Sequence, residues 1–270
     1  MADEHPFDAA VALEPQGEGA WRGRTSAPYA NMIGPFGGVT AAQALHAIWL
    51  HPQRLGEPVA FTVNFGAALA DGEFTALARP ARTNRSTQHW VAELRQGDAT
   101  VITATAVTAQ RRETWGTTEV AMPPVPRPGD VAPMARPGRV EWVNRYEMRF
   151  IEGGFPAQWD GGGHEHSRTQ LWVRDQVPRP LDFVSLTAMC DVFFPRIWRR
   201  RQRLTPLGTV TMTVYFHAGL SQLRATDTGY LLGQAQAQGF RNGYFDQTAQ
   251  MWNEAGELLA TTHQVVYYKE

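Results

Sequence analysis

The chain repeats itself, and this limits its possible folds more than any other feature. The segment FTVNFGAAL at 61–69 returns as MTVYFHAGL at 212–220, and VAELRQGDATVITATA at 91–106 returns as TAQMWNEAGELLATTH at 248–263. Between the copies, Ala121 to Arg139 holds six prolines and no periodic apolar pattern. Proline removes a backbone donor and fixes φ, so this stretch continues neither a helix nor a central strand. It reads as an extended linker. The division predicts an N-terminal repeat over 1–120, a linker over 121–139 and a C-terminal repeat over 140–270.

Each copy has the same element order. The first has a helical pattern in GPFGGVTAAQALHAIW, Gly34 to Trp49, opened by glycines. Four β-rich runs of strand length follow, with a hairpin turn at Gln96-Gly97-Asp98. The second has a helical pattern from Asp182 to about Phe194, followed by four runs starting at Thr209, Tyr230, Tyr244 and Glu257. An earlier strand is expected in each half, Val140 to Phe150 in the second. One helix wrapped by an antiparallel sheet, twice, is an α+β layer solution.

Composition serves mainly to exclude. A net charge of -1 gives no general affinity for nucleic acid or an anionic membrane. No apolar run reaches the ~18 residues of a membrane helix, and MADEHPFDAA lacks the basic and apolar regions of a signal peptide. The single cysteine, Cys190, allows no intrachain disulfide, so a cytoplasmic location is expected. There is no G-x-S-x-G elbow and no glycine-rich dinucleotide or Walker motif.

Four segments carry a resemblance: GPFGGVTAAQAL, AMCDVFFPRIW, TVTMTVYFHA and LLATTHQ. Together with the repeat, they make the chain similar to the double-hotdog, type II acyl-CoA thioesterase-like family over most of its length. The resemblance implies a double hotdog fold and hydrolysis of an acyl-CoA to a free acid and CoA. It implies no metal or redox cofactor, coenzyme A being part of the substrate. It also implies a catalytic Asp, Thr and Gln, which match Asp191, Thr209 and Gln264. In that chemistry the carboxylate acts as general base for a water that the hydroxyl and amide hold in place. Exposed sheet edges make a homodimer or larger assembly plausible. The same fold could instead hydrate or dehydrate an acyl-CoA, or bind one without turnover.

Read from the residues alone, Asp191 projects from a helix over 182–194 beside the small Thr187 and Ala188. Periodicity equally allows it to face solvent. Asp182 can cap the helix start. Gly37 and Gly38 open the first helix, where backbone N–H groups can serve an oxyanion; a tight packing turn explains them nearly as well. Strict alternation along the strand from Thr209 puts Thr209 with Thr211 and Thr213, opposite the apolar Met212 and Val214. A bulge would turn Thr209 inward, and Thr211 is the fallback.

The first helix has no Asp or Glu, and the position matching Gln264 falls near Val107, so one site per chain is expected. In the loop TNRSTQHW, Arg85 and Ser86 are candidates for a phosphate or the pantetheine arm, echoed by Arg241. A solvated hairpin loop accounts for them as well. The run Arg196 to Arg203 is a solvated face or, second, a CoA phosphate site. His164, Glu165 and His166 lack a further metal ligand. His217 is assigned no role, and Cys190 is read as a core residue.

Overall fold

The computed structural model describes residues 4–135, 140–156 and 159–270. The last four residues of the expected linker and the first three of the N-terminal segment lie outside them. In the N-terminal half the elements are α1 (Pro6–Val11), β1 (Glu14–Gly17), β2 (Ala20–Arg24), α2 (Gly37–Trp49), β3 (Glu57–Phe65), β4 (Glu73–Thr83), β5 (Thr87–Gln96) and β6 (Ala99–Ala109). In the C-terminal half they are β7 (Tyr146–Glu152), β8 (Thr169–Asp175), α3 (Phe183–Met189), α4 (Arg196–Arg201), β9 (Leu207–Phe216), α5 (Leu220–Thr226), β10 (Leu231–Gln236), β11 (Phe240–Arg241), β12 (Tyr244–Asn253) and β13 (Leu258–Tyr268).

One antiparallel sheet runs in the order β1-β2-β4-β5-β6-β3-β9-β13-β12-β10-β8-β7, with β11 paired to β12. Its two halves meet at β3 and β9, the two strands that carry the repeated segment. Thr62 pairs with Thr213, and these are equivalent positions of the repeat. Phe61 pairs with Val214 and Val63 with Met212, so each repeat strand meets the other's mate in reverse. A local two-fold axis therefore passes through the Thr62–Thr213 pair, whose hydroxyls lie 2.9 Å apart.

Alternation places Phe61, Val63, Met212 and Val214 on the inner face against α2 and α3, all four buried. Helix α2 is buried on nearly all sides, which suits its run of alanines. Its polar Gln43 donates to Ala10 O and Arg24 O, which ties α1 and β2 over the helix. Helices α2 and α3 cross closely at Gly38, where a Cβ would stand 2.5 Å from the Ala188 carbonyl oxygen.

The proline-rich stretch is packed, not free. Met122, Val125 and Val131 cover the outer-face cluster of Trp172, Tyr230, Leu232 and Trp252. Trp172 Nε1 donates to Pro126 O at 2.9 Å, and Arg149 donates to Pro128 O and Val131 O at 2.9 Å each. Just before it, Arg111 donates to Pro58 O and Phe216 O and pairs with Glu57 at 3.3 Å, joining β3 and β9 at their ends.

Several expectations change. The strand expected over Val140 to Phe150 begins as a 3-10 turn, Glu141–Arg145, before β7. The Trp142 ring stacks on Phe36 at 4.1 Å and the Trp142 backbone N–H donates to Ala30 O, which holds the segment off the sheet. The helix expected over 182–194 ends at Met189, and Asp191 N–H bonds back to Ala188 O in a tighter, 3-10-like turn. Asp182 does cap its start, accepting from Ser185 N at 2.7 Å. Helices α1, α4 and α5 and strands β1 and β8 are additional to the sequence reading, while β2 is an earlier strand of the kind expected in the first half.

The crossing at Gly38 gives a first prediction. Gly38→Ala pushes a methyl into backbone that cannot step aside, so it should cost about 1–3 kcal/mol, read by urea denaturation. A neutral Gly38→Ala would mean the two helices can separate freely.

Candidate active site

Asp191 lies just past the C-terminus of α3 and reaches across to the start of α2. Its Oδ1 accepts from Gln264 Nε2 at 2.8 Å. On the other side, the Gly38 N–H also favours the carboxylate, less than the Gln264 amide does. A Cβ on Gly37 would stand 2.8 Å from Asp191 Oδ2, so the missing side chain is what admits the carboxyl. The α2 N-cap position is Phe36, which offers no side-chain acceptor. The first N–H groups of a helix carry partial positive charge, and here the carboxylate of the other repeat occupies that position.

Gln264 is held by the ladder: it pairs with Met212 on β9 and is buried. Its Nε2 also lies 3.4 Å from Met212 Sδ. The register identifies its repeat mate. Met212 matches Phe61, and Phe61 pairs with Ala106, so Ala106 and not Val107 stands where Gln264 does in the second half. The first half thus has no amide at that position.

Asp191 is half-buried by exposure, and the packing around its carboxyl is dense enough that burial dominates its titration. Burial lifts it to about 7, with the Gln264 and Gly38 donors opposing the rise.

The conflict over Thr209 is resolved by a bulge. Val265 pairs with Thr211, but Val266 pairs with Thr209, so Val210 is an extra residue in β9. Thr209 then shares the inner face with Val266, Gln264 and Met212, while Val210 is turned out at 38% exposed. Thr211 is on the outer face and donates to Val63 O, which removes it as the fallback. Among the described residues Thr209 makes no hydrogen bond to Asp191; what the fold provides is its position on the same face.

The loop candidates separate. Arg85 and Ser86 sit in the tight β4–β5 turn, where Asn84 N–H donates to Thr87 O. The adjoining Gln88 bonds Leu55 N and Gln53 O, just beyond the C-terminus of α2. That places the turn at the far end of α2 from Asp191, about 18 Å away by helix rise, so the structure does not bring Arg85 or Ser86 to this site. Arg241 lies in the β11–β12 turn beside the end of β13, three residues past Gln264 in register.

The arginine run also divides. Arg196 is 0% exposed and donates to Ser167 O and Thr169 Oγ1, both at 2.7 Å, and to Phe194 O, so it is a core residue and not part of a phosphate surface. Arg201 pairs with Glu270 at 2.9 Å. His164 bonds Gln202 at 3.1 Å, His166 approaches Glu152 at 3.5 Å, and His217 bonds Thr261 at 3.0 Å. Cys190 is buried, and burial pushes its thiol up, away from nucleophile chemistry. The cross-repeat role of Asp191 at α2 left one sequence signal: Pro35-Phe36-Gly37-Gly38 starts a helix without Ser, Thr, Asp or Asn at its cap.

A helix in the hollow of an antiparallel sheet, doubled about a two-fold axis with one carboxylate at the seam, defines a double hotdog protein. The comparisons narrow this to a family. Residues 120–268 match the acyl-CoA thioesterase C-terminal domain, and residues 26–109 match the acyl-CoA thioesterase N-terminal domain. The chain belongs to the acyl-CoA thioesterase family. Among solved structures, a conserved protein of unknown function with a hot dog fold from Alicyclobacillus acidocaldarius is 46% identical, with 99% of each chain covered and a TM-score of 0.92. A putative thioesterase II from Thermobifida fusca is 16% identical over 100% of both chains, at a TM-score of 0.86. An acyl-CoA thioesterase II from Mycobacterium marinum is 18% identical over 97% of this chain and 98% of that one, at 0.76. The last two likenesses bear on the fold alone. No curated protein matches the chain. Among the described residues no helix is long and apolar enough to cross a membrane.

The raised carboxyl makes a stability prediction whose sign can be worked out. A folded-state carboxyl that titrates near 7 holds its proton more tightly than the unfolded one, near 4. Its contribution to stability is therefore present at low pH and is lost as pH rises from about 4 through about 7. Asp191→Asn removes that loss. The difference in Tm between Asp191→Asn and wild type should grow in favour of the variant across this window and stay level above it. A difference independent of pH would place the carboxyl in water.

Proposed function

We propose that this protein hydrolyses an acyl-CoA thioester to a free acid and CoA, with Asp191 as general base. The observation that carries the reading is the Asp191 carboxyl, gripped by Gln264 and set beside the first N–H groups of α2. A base that titrates near 7 is matched to taking a proton from water at neutral pH. Gln264 Nε2 holds the base, and its Oε1 has no hydrogen bond to the described residues, which leaves it free to accept from the attacking water. Thr209 completes the set from the same face of the sheet.

In the proposed step, a water loses its proton to Asp191 as its oxygen bonds to the thioester carbonyl carbon. The tetrahedral intermediate then expels the CoA sulfur, which leaves as the thiol on receiving that proton. The oxyanion contact falls to the start of α2. Gly38 N–H already serves Asp191, so Gly37 N–H is the better-placed donor of the two. Hydration of an enoyl group calls for a histidine beside the carboxyl. Among the described residues, the side-chain hydrogen-bond partner of Asp191 is Gln264, and this favours hydrolysis. Proposed together with this activity are a homodimer or larger assembly and a cytoplasmic location.

Thiol release from short, long and aromatic acyl-CoAs tests the reading. Turnover should appear with at least one of them and fall by about 10²–10⁴-fold in Asp191→Asn. Equal rates in both proteins would remove Asp191 from the mechanism. The wild-type rate should rise with pH to a plateau, with its midpoint near 7. Because the Gln264 bond holds the carboxyl down, Gln264→Leu should move that midpoint upward as well as slow the reaction. An unmoved midpoint would mean that Gln264 does not act through Asp191.

A further inference from the structure

The C-terminal repeat carries two elements that the N-terminal repeat lacks, and they touch. Strands β1 and β2 at one end of the sheet correspond to β7 and β8 at the other. Glu18 and Gly19 alone join the first pair, whereas the stretch 153–168 joins the second. Helix α2 is followed directly by β3, but α4 stands between α3 and β9. The first repeat closes around its helix without either addition, so packing of the fold does not call for them.

The two additions form one surface. Arg196 ties them together from inside, donating to Ser167 O and Thr169 Oγ1. Arg200 donates to His164 O, and Gln202 bonds the His164 ring. The stretch 161–163 lies flat against the end of α4. A Cβ on Gly161 would stand 2.9 Å from Arg203 Nε, and one on Gly163 would stand 2.6 Å from Arg200 O. Trp159 meets the Trp198 ring edge-on, with centroids 5.7 Å apart, and remains 38% exposed.

This surface is positive and largely unneutralised. Among the described residues Arg201 pairs with Glu270, while Arg199, Arg200 and Arg203 have no ion pair. Asp160, the nearest acid in the chain to the glycines, accepts from Gly162 N at 2.9 Å. Arg199 Nε is buried with no hydrogen-bond partner, and its charge acts on both Arg196 and His164. Like charges held together repel, so the arrangement is most favourable with an anion bound. Guanidinium forks match phosphate oxygens, and the exposed face of Trp159 suits a flat aromatic base. Phosphates beside a base describe a nucleotide. A net charge of -1 gives the chain no general draw to the long polyanion of a nucleic acid.

The place fits the far end of CoA. From Asp191 the chain runs to Pro195 and then through about one helical turn to Arg199, which puts the Cα atoms of Asp191 and Arg199 at most ~20 Å apart. Ile197 and Trp198 pack on Val266, the next inward residue of β13 after Gln264. The pantetheine arm of CoA separates its thioester from its phosphates. A thioester carbonyl at Asp191 therefore leaves the nucleotide to be met by a neighbouring surface, and α4 is such a neighbour.

We propose that α4 and the stretch 159–163 hold the 3′-phosphoadenosine diphosphate end of CoA, with Arg199, Arg200 and Arg203 on its phosphates and Trp159 against its adenine. This rests on the acyl-CoA reading of Asp191 and adds the means by which the site tells CoA from other thiols.

Two thioesters of one acyl chain test it, the acyl-CoA and the acyl-pantetheine, which lacks the phosphates and the base. Wild type should favour the acyl-CoA by about tenfold or more in kcat/KM, through KM. In Arg203→Gln and Trp159→Ala, both exposed side chains, that preference should fall several-fold. In Arg200→Gln/Arg203→Gln it should fall toward one, and Arg203→Lys should keep part of it. Calorimetry with CoA and with adenosine 3′,5′-bisphosphate needs no turnover. Both should bind wild type and Asp191→Asn alike, more weakly as salt rises, and bind the double arginine variant about tenfold more weakly. A wild-type preference within about twofold, or one that the arginine variants leave unchanged, overturns the proposal, as does a short RNA that binds more tightly than CoA. If acyl-pantetheine is hydrolysed as well as acyl-CoA and Asp191→Asn is inactive on both, hydrolysis stands and the nucleotide site falls. If CoA and the bisphosphate bind through the arginines and no acyl-CoA turns over, the nucleotide site stands and the hydrolase reading falls.

Discussion

The placement of the Asp191 carboxyl against the start of α2 depends on nearly everything else in the fold. It requires α3 to stop at Met189, so that Asp191 can turn across instead of continuing along the helix. It requires two glycines in a row, Gly37 to admit the carboxyl and Gly38 to let α2 meet Ala188. It requires β9 and β13 to hold Gln264 inward at the right height. The helix that lacks a cap in its own repeat receives a negative charge from the other, and a carboxyl that would ordinarily ionise near 4 is held near 7.

Much of this could be read from the residues, for identifiable reasons. Alternating strands and a helix opened by glycines are local patterns, and duplication doubled the signal. The segments FTVNFGAAL and MTVYFHAGL stand out because both must cover the same helices along one seam. Asp191 stood out as a charge in an apolar stretch. The errors arose where tertiary contacts override local pattern. Nothing in TAMCDVFF marks the helix end at Met189, because that end is fixed by the crossing with α2. Strict alternation turned Thr209 outward, and only the pairing of Val266 with Thr209 exposes the extra residue at Val210. Arg196 resembled its neighbours in sequence, yet it is enclosed by carbonyls of other elements. The proline-rich stretch holds only a short 3-10 turn, Pro128–Asp130, among its described residues, but its Met122, Val125 and Val131 cover an aromatic cluster that composition alone did not reveal.

Asp175 and Asp191 make an instructive pair. Both are carboxyls lifted by burial to about 7. Asp191 has a bonded amide and a helix start, whereas Asp175 Oδ1 has no hydrogen-bond partner among the described residues. The same desolvation therefore acts on a group held by fixed donors and on one packed at the end of a strand, where the Arg179 charge is what opposes it.

The two-fold axis through Thr62 and Thr213 bears on how such a site can arise. If two identical single-repeat chains associated in this way, every substitution would appear on both sides of the axis at once. A residue that improved the acidic side would necessarily alter the glycine side. Fusion into one chain removes that coupling. Asp191 can stand in one copy and Gly37 and Gly38 in the other, and Ala106 can replace an amide without loss to Gln264. Covalent linkage here gives evolution two independently variable halves of a single pocket, beyond any gain in stability.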